Sequence, residues 1–354
     1  MNGSLVTILR GLAVIAGFAF LVFAHEFGHF LAARLSKVKV TDFFIGFGPK
    51  LFSVKRGETT YGIAALPLGG YVKMAGDNLL DEEGSQSLKD NRSLPNASFI
   101  KKLFIVISGP AVNLLLAFLI LSIAFGFEGV IKPTNTVAAT VKNSPARGVL
   151  KKGDKIVAIN GRKITNWDEL SKEIRKHPRQ KVEVVFIRNG QRESATLKTI
   201  IKQRKAMVGI YPMTKQTRFL TLSESLKASA GFIFIVSKTT AGLILKAITG
   251  QPAELAKNSS SIVGAVYLGV KISTTFLNFL FFVGYVSLVL AFVNLLPIPP
   301  LDAGRALLFI AEKIKRGPIK RSTLMAVNAV GLAFLFSLFL FLILREIFFG
   351  FPNV

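Results

Sequence analysis

Long stretches without a charged side chain constrain this chain more than any other feature. Residues 103–127, 272–301 and 322–344 contain no Asp, Glu, Lys or Arg, and residues 11–24 begin a fourth apolar run that continues to about 33. A bilayer core of about 30 Å takes roughly 20 apolar residues in a helix, and a helix satisfies its own backbone polar groups there. The chain is therefore read as a polytopic α-helical membrane protein with about four transmembrane helices, in segments 1–35, 101–126, 272–301 and 323–345. The first run outlasts the apolar core of a secretory signal and ends in no small-x-small cleavage site, so it too is read as a membrane helix.

The intervening segments differ in kind. Residues 36–100 hold two strand-like pieces, 41–54 and 60–74, around the turn Lys55-Arg56-Gly57-Glu58. They are apolar and rich in Gly and Pro, which suits a membrane-associated β-hairpin shielded by protein or by a wet cavity. Residues 77–95 read as a polar, acidic loop.

Residues 134–213 read as an inserted α+β domain. Strands are expected at 137–141, 155–159, 182–188 and 193–201, a short helix from Ser144-Pro145-Ala146, and a longer one at 167–176 capped by Asn166 or Thr165. Asn160-Gly161 and Asn189-Gly190 are hairpin turns. This order resembles a PDZ domain, most closely in Lys152-Gly153-Asp154-Lys155-Ile156 and Ile159-Asn160-Gly161. The resemblance implies that a peptide or substrate tail adds as a strand to an open sheet edge; a spacer with no ligand is the alternative. In the region 219–258, Lys227, Lys238 and Lys246 follow one another within roughly a quarter turn. This favours an amphipathic helix on the membrane surface over a fifth span.

The formal net charge is +25. Most of the excess lies between 128 and 271, flanked by hydrophobic segments, so membrane lipid is the expected partner. No aromatic stacking motif interleaves the cations, and nucleic acid is not expected. The connection 302–322 carries six basic and two acidic residues, which places it in the cytoplasm. Segment 36–100 is then cytoplasmic, and the PDZ-like domain is extracytoplasmic. The chain has no cysteine, which excludes disulfides and thiolate ligands.

Chemistry concentrates at His25-Glu26-Phe27-Gly28-His29 in the first helix. Histidines four apart share one helical face and can bind one zinc ion between them, with Glu26 beside it as general base and acid. Ionisable residues inside a membrane helix are costly, and three of them in five positions mark a functional site. Zinc takes a third protein ligand. An extended motif would put a histidine six residues beyond the second, but that position is Leu35. The remaining histidine, His177, sits in a basic stretch of the PDZ-like domain, so a carboxylate is expected. Asp302 ends the uncharged run Asn294-Leu295-Leu296-Pro297-Ile298-Pro299-Pro300-Leu301. Locally it fits either a ligand or a cap for a helix beginning at 303.

Over nearly its whole length the chain resembles the site-2 protease family of intramembrane metalloproteases, in particular bacterial members that carry a PDZ domain. The resemblance rests on the His25–His29 motif, on Asn294, Pro297, Leu301 and Asp302, on Gly109 and Asn113 in the second helix, and on Leu66-Pro67-Leu68-Gly69-Gly70-Tyr71-Val72 in the hairpin. It implies one Zn²⁺ per chain held by His25, His29 and Asp302, with Glu26 catalytic. It also implies Gly109 and Asn113 packed near the site, and Asn294, Pro297, Gly69 and Gly70 toward substrate. The family usually has Leu-Asp-Gly where this chain has Leu301-Asp302-Ala303-Gly304. Implied substrates are membrane-spanning proteins, such as anti-sigma factors already trimmed outside the membrane or remnant signal peptides, cut in the bacterial inner membrane. A non-proteolytic adaptor using its PDZ-like domain and a metal transporter are the competing functions. Neither needs an acid between the histidines.

Overall fold

The structure is a computed structural model that describes residues 3–77, 90–202, 205–250 and 259–350. The chain forms two compact units, Met1–Phe125 with Leu222–Val354, and Gly126–Thr221. The acidic part of the expected loop at 78–89, and residues 251–258 of the expected surface-helix region, lie outside the described residues.

The first unit is built on long apolar helices. These are α1 (Gly3–Leu35), α2 (Phe99–Glu128), α6 (Phe276–Asn294) and α8 (Arg321–Phe349). Their side chains are apolar all round, so lipid rather than water is the matching environment. Glycines set how closely they cross. A Cβ on Gly17 of α1 would touch Val283 and Phe279 of α6, and one on Gly284 of α6 would meet Leu121 of α2 at 2.8 Å. Small residues at crossings are how membrane helices gain packing without a hydrophobic drive.

Two long strands, β1 (Val40–Arg56) and β2 (Thr59–Met74), form the hairpin. Each is bent and pairs twice. Residues 40–45 lie between 70–74 on one side and 60–63 on the other, while 59–64 also pair with 50–56. The arm 70–74 therefore ends the sheet, with no strand beyond it among the described residues. The base of the sheet packs on α1 through Phe43, Val72 and Met74 with Ala32, Ala33 and Phe30.

The remaining helices of this unit are α4 (Leu222–Ile248), α5 (Ile262–Ile272) and α7 (Asp302–Lys315). The expected surface helix is thus one continuous element. By length and composition α4 also qualifies to cross a bilayer, giving five such helices among the described residues. The first turn of α2 (Lys102) and the start of α8 (Arg321) line the same cavity. The far end of α8, at Glu346, bonds Ser261 before α5. Thr274, just before α6, accepts from Arg10 of α1. Along its length α4 packs on α2, where the buried Ser229 hydroxyl donates to the Phe118 carbonyl at 2.9 Å. Sequence reasoning missed α5, which at 11 residues is too short to span.

The second unit holds a sheet in the order β10-β3-β4-β6-β7. Its strands are β3 (Val130–Thr140), β4 (Lys155–Ile159), β6 (Lys181–Arg188), β7 (Gln191–Lys198) and β10 (Ile210–Arg218), with β5 (Arg162–Lys163) beside β4. A small pair, β8 (Ile200–Lys202) and β9 (Lys205–Met207), completes it. Helix α3 (Trp167–Arg175) is capped by Asn166, whose side chain accepts from the Glu169 amide. Leu170 and Ile174 of this helix enter a core with Ile156, Ile159, Val184 and Phe186. Both Asn-Gly turns have positive φ at each residue, 47° and 76° at 160–161 and 50° and 82° at 189–190, as tight hairpins require. The helix expected from Ser144 is instead a series of turns, in which the Ser144 hydroxyl bonds Val141 and Gly209 carbonyls. A serine side chain that competes for backbone groups favours a turn over a helix. Edge strand β10 was also missed, because its polar residues Thr214–Arg218 carry no apolar alternation.

Asp154 holds this unit together at one point. Its side chain is 1% exposed and accepts two bonds from Arg188, at 2.9 and 2.7 Å, and one from the Lys151 amide. Burial alone would raise its pKa, but the Arg188 and Lys151 bonds outweigh it and hold the carboxyl below the ordinary value. A depressed native pKa stabilises above the unfolded value of about 4 and loses that stabilisation as pH falls through the native value. Asp154→Ala should cost the domain about 3 kcal/mol at neutral pH, read by denaturant unfolding, and the gap between variant and parent should narrow in acid.

Candidate active site

The site forms where α1 crosses α2. A Cβ on Gly28 would lie 2.8 Å from the Ser108 carbonyl, so the two backbones touch there. The next residue of α2, Gly109, faces the histidines. A Cβ on it would sit 2.3 Å from His29 Nε2 and 2.8 Å from His25 Cε1. A side chain at 109 would occupy the space that the two imidazoles now fill.

Each imidazole is held from behind. His29 Nδ1–H donates to the Ile105 carbonyl at 2.7 Å. That bond fixes the tautomer and leaves Nε2 with a free lone pair pointing inward. His25 Nδ1 lies 3.3 Å from the Asn113 amide, whose Oδ1 is buried without a partner. A half turn of the amide lets Oδ1 accept from His25 Nδ1–H, which satisfies the orphaned oxygen and leaves His25 Nε2 free as well. Ser287 of α6 in turn donates to the Asn113 carbonyl at 2.7 Å.

Asp302 arrives from the other side. Helix α6 ends at Asn294, and the following turns carry the chain back toward α1. The Pro299-Pro300 turn is clasped by two glycines. A Cβ on Gly304 would lie 2.3 Å from Pro299 N, and one on Gly331 of α8 would overlap the Pro299 carbonyl. Asp302 is the first residue of α7, while the cap position is Leu301, with no side-chain cap bond. Its carboxylate points instead at the histidines, 3.1 Å from His25 Nε2 and 3.3 Å from His29 Nε2. Ala303 is helical and is not among the residues with positive φ, so its backbone does not call for glycine. In this turn the close approach falls on Gly304.

These groups suit a metal ion. The two Nε2 atoms are 3.2 Å apart, and one ligand atom from each of the three residues lies within 4.8 Å of the others. Ligands about 2.0 Å from a tetrahedral centre sit about 3.3 Å from one another, close to the separations seen. Asp302 Oδ2 is buried with no hydrogen-bond partner, an expensive arrangement unless a cation neutralises it. Two imidazoles and one carboxylate are a zinc donor set.

Glu26 projects toward the sheet. A Cβ on Gly70 would lie 2.9 Å from Glu26 Cγ, and Gly70 begins the edge arm 70–74. Gly69 packs under Phe47, whose ring would overlap any added Cβ. Asn294 spends its amide within its own helix, donating to the Leu290 carbonyl at 3.0 Å. Pro297 follows α6 in the turn that leads to Asp302. His177 lies in the second unit, bonded to Gln180 and Asn160. The supporting Ile105 carbonyl has no sequence signature. Ser287 was detectable as a polar residue inside an uncharged run.

Gly109→Ala should therefore displace the imidazoles without weakening the helix, since Ala favours helix over Gly by about 1 kcal/mol. Metal content of the purified variant, by elemental analysis, is expected to fall several-fold while helix content by circular dichroism stays unchanged.

Residues 13–338 match the model of peptidase family M50. A Clostridium acetobutylicum protein with a provisional zinc-metalloprotease name is 33% identical over 340 residues, covering 94% of this chain and 96% of that protein. The regulator of sigma-W protease of Bacillus subtilis is 27% identical, covering 93% and 96%. Among solved structures, the PDZ domain of a Listeria monocytogenes SdrC-like protein aligns with 22% of this chain and 85% of its own length, at 23% identity and a TM-score of 0.21. The chain belongs to peptidase family M50, the site-2 protease family, and is a multi-pass membrane zinc metalloprotease.

Proposed function

We propose that the enzyme hydrolyses peptide bonds within or beside the transmembrane segments of single-span membrane proteins, using Glu26 as its general base and acid. The observation that carries this reading is the position of Glu26, between the convergent His25, His29 and Asp302 and the edge strand arm beginning at Gly70.

His25, His29 and Asp302 would hold the zinc ion. When bound, zinc supplies Lewis-acid polarisation of a carbonyl and acidifies water within reach. Glu26 takes a proton from the attacking water and later delivers it to the leaving amine. A helical substrate hides its carbonyls in its own hydrogen bonds, so it must be extended to react. The arm 70–74 lies at the edge of the sheet and offers such a segment a strand to align with. Gly70, which has no side chain, lets the paired backbone lie close to Glu26. Asn294 and Pro297 contribute through the turn that presents Asp302.

Substrates in this reading are anti-sigma factors trimmed outside the membrane, or remnant signal peptides. Support comes from the name of the Bacillus subtilis relative, a regulator of sigma-W protease. The basic 302–322 connection supports a bacterial inner-membrane location with that face cytoplasmic and the PDZ-like domain extracytoplasmic. There the domain acts as a size filter, or holds a substrate tail at a sheet edge.

Glu26→Gln keeps shape and removes the proton carrier. The variant should retain the parent's zinc content and lose cleavage of a single-span substrate by about 10²–10⁴-fold, measured in detergent or vesicles. Equal cleavage by both would rule out this role. Substrate binding with no cleavage by the parent would indicate an adaptor.

A further inference from the structure

Asp302 is carried by α7, and α7 has little apolar packing of its own to fix its direction. Among its residues only Gly304 and Ala306 are buried, while Leu307 and Ile314 are exposed. A cavity of about 910 Å³ lies beside it, lined by Tyr71 and Val72 of β2 and by Leu308 and Phe309 of α7. Side chains therefore do not fill the space between the two elements. What meets α7 instead is a row of separate partners. Asp302, Arg305, Phe309 and Glu312 fall within roughly 80° of one another around the helix. Asp302 faces the histidines, and Arg305 pairs with Asp77. Phe309 packs on the core that holds Ala32 and Ala33, and Glu312 pairs with Lys102 at 3.6 Å.

These partners belong to the frame that holds His29. Asp77 follows β2 in a turn, where its amide donates to the Met74 carbonyl at 3.0 Å. The Ala75 amide donates to the Lys39 carbonyl at 2.9 Å, and the Ala75 carbonyl accepts from the Leu94 amide at 2.8 Å. Met74 and Leu94 are buried in the core with Ala32 and Ala33, one turn of α1 beyond His29. Asp77 is thus fixed relative to the helix that carries both histidines. On α7, Arg305 follows Asp302 by less than one turn of helix, so a shift at one is passed to the other. The tolerance is small. A rotation of α7 by roughly 20° would move a carboxylate about 5 Å from its axis by about 2 Å, whereas metal–ligand distances hold to about 0.2 Å.

We infer that Arg305 is a positioning residue for the metal site: its ion pair with Asp77 sets the rotation of α7 and so holds the Asp302 carboxylate against the His25 and His29 nitrogens. The inference rests on the zinc site described above. Of the two ion pairs along α7, the one at Arg305 acts on Asp302 most directly. Glu312 lies about 15 Å further along the axis and steers the far end of the helix. The Arg305 and Asp77 side chains are 32% and 20% exposed, and a partly exposed pair adds little to the stability of a fold. Its effect here falls on the geometry of a ligand, where a small displacement is enough.

The test is a zinc titration of the purified full-length protein, stripped with a chelator and followed by competition with a fluorescent zinc indicator. Arg305→Gln should weaken zinc binding by about 10–100-fold. Asp77→Asn, which leaves α7 unaltered, should do the same, and the double variant should bind no more weakly than either single one. Arg305→Lys keeps the charge opposite Asp77 and should recover most of the affinity. In an Asp302→Ala background, Arg305→Gln should have no further effect, because no carboxylate remains to be positioned. Parent-like zinc affinity in both single variants would overturn the inference and leave the zinc site standing. Additive losses in the double variant would overturn it too. A further loss in the Asp302→Ala background would mark the pair as a general support of the fold and would also overturn it. No zinc binding by the parent would overturn the zinc site as well.

Discussion

Two imidazoles and two carboxylates sit among apolar helices, and the first unit is organised around making that tolerable. An ionisable group within a bilayer is stable only with partners. Here the partners come from α1 itself, from α2 and from the turn after α6. His29 leans on the Ile105 carbonyl and His25 on Asn113, while Asp302 approaches both histidines within 3.3 Å. A cation bound among them would remove the remaining deficit, the buried and unpartnered Asp302 Oδ2. Metal binding and assembly of α1, α2 and the turn after α6 are therefore coupled, as they are wherever a site forms only in the folded state.

Glycines make the assembly possible. Gly28 and Gly109 let α1 and α2 meet closely enough for the imidazoles to fill the space over Gly109. Gly304 and Gly331 clasp the Pro299-Pro300 turn that aims Asp302. Gly70 brings the edge strand arm against Glu26. Each removes a side chain at a point where backbone and catalytic group must approach. Together they link the chemistry to the sheet edge.

Much of this was legible in the sequence, for identifiable reasons. Uncharged runs of more than twenty residues marked α2, α6 and α8, since few other settings accept them, and a shorter one ending at the His25–His29 motif marked α1. Asn-Gly pairs located the two tight turns of the second unit, because both residues must adopt positive φ. The His25–His29 spacing gave one helical face. Local sequence left Asp302 undecided between cap and ligand, because that difference depends on where α7 points relative to α1. The Ile105 carbonyl left no trace at all, since every residue has one. The short helix α5 and the polar edge strand β10 lacked the periodicity that identifies such elements. The departure at Ala303 loses its weight once the turn is seen, because the close approach there is made by Gly304.

The central claim is that His25, His29 and Asp302 form one zinc site, and zinc K-edge X-ray absorption on the purified full-length protein tests it most directly. The account predicts one zinc per chain with about four nitrogen or oxygen ligands near 2.0 Å and the outer-shell scattering of two imidazoles. Asp302→Ala should lose most of the metal. Scattering from a single imidazole, or full zinc occupancy in Asp302→Ala, would contradict it.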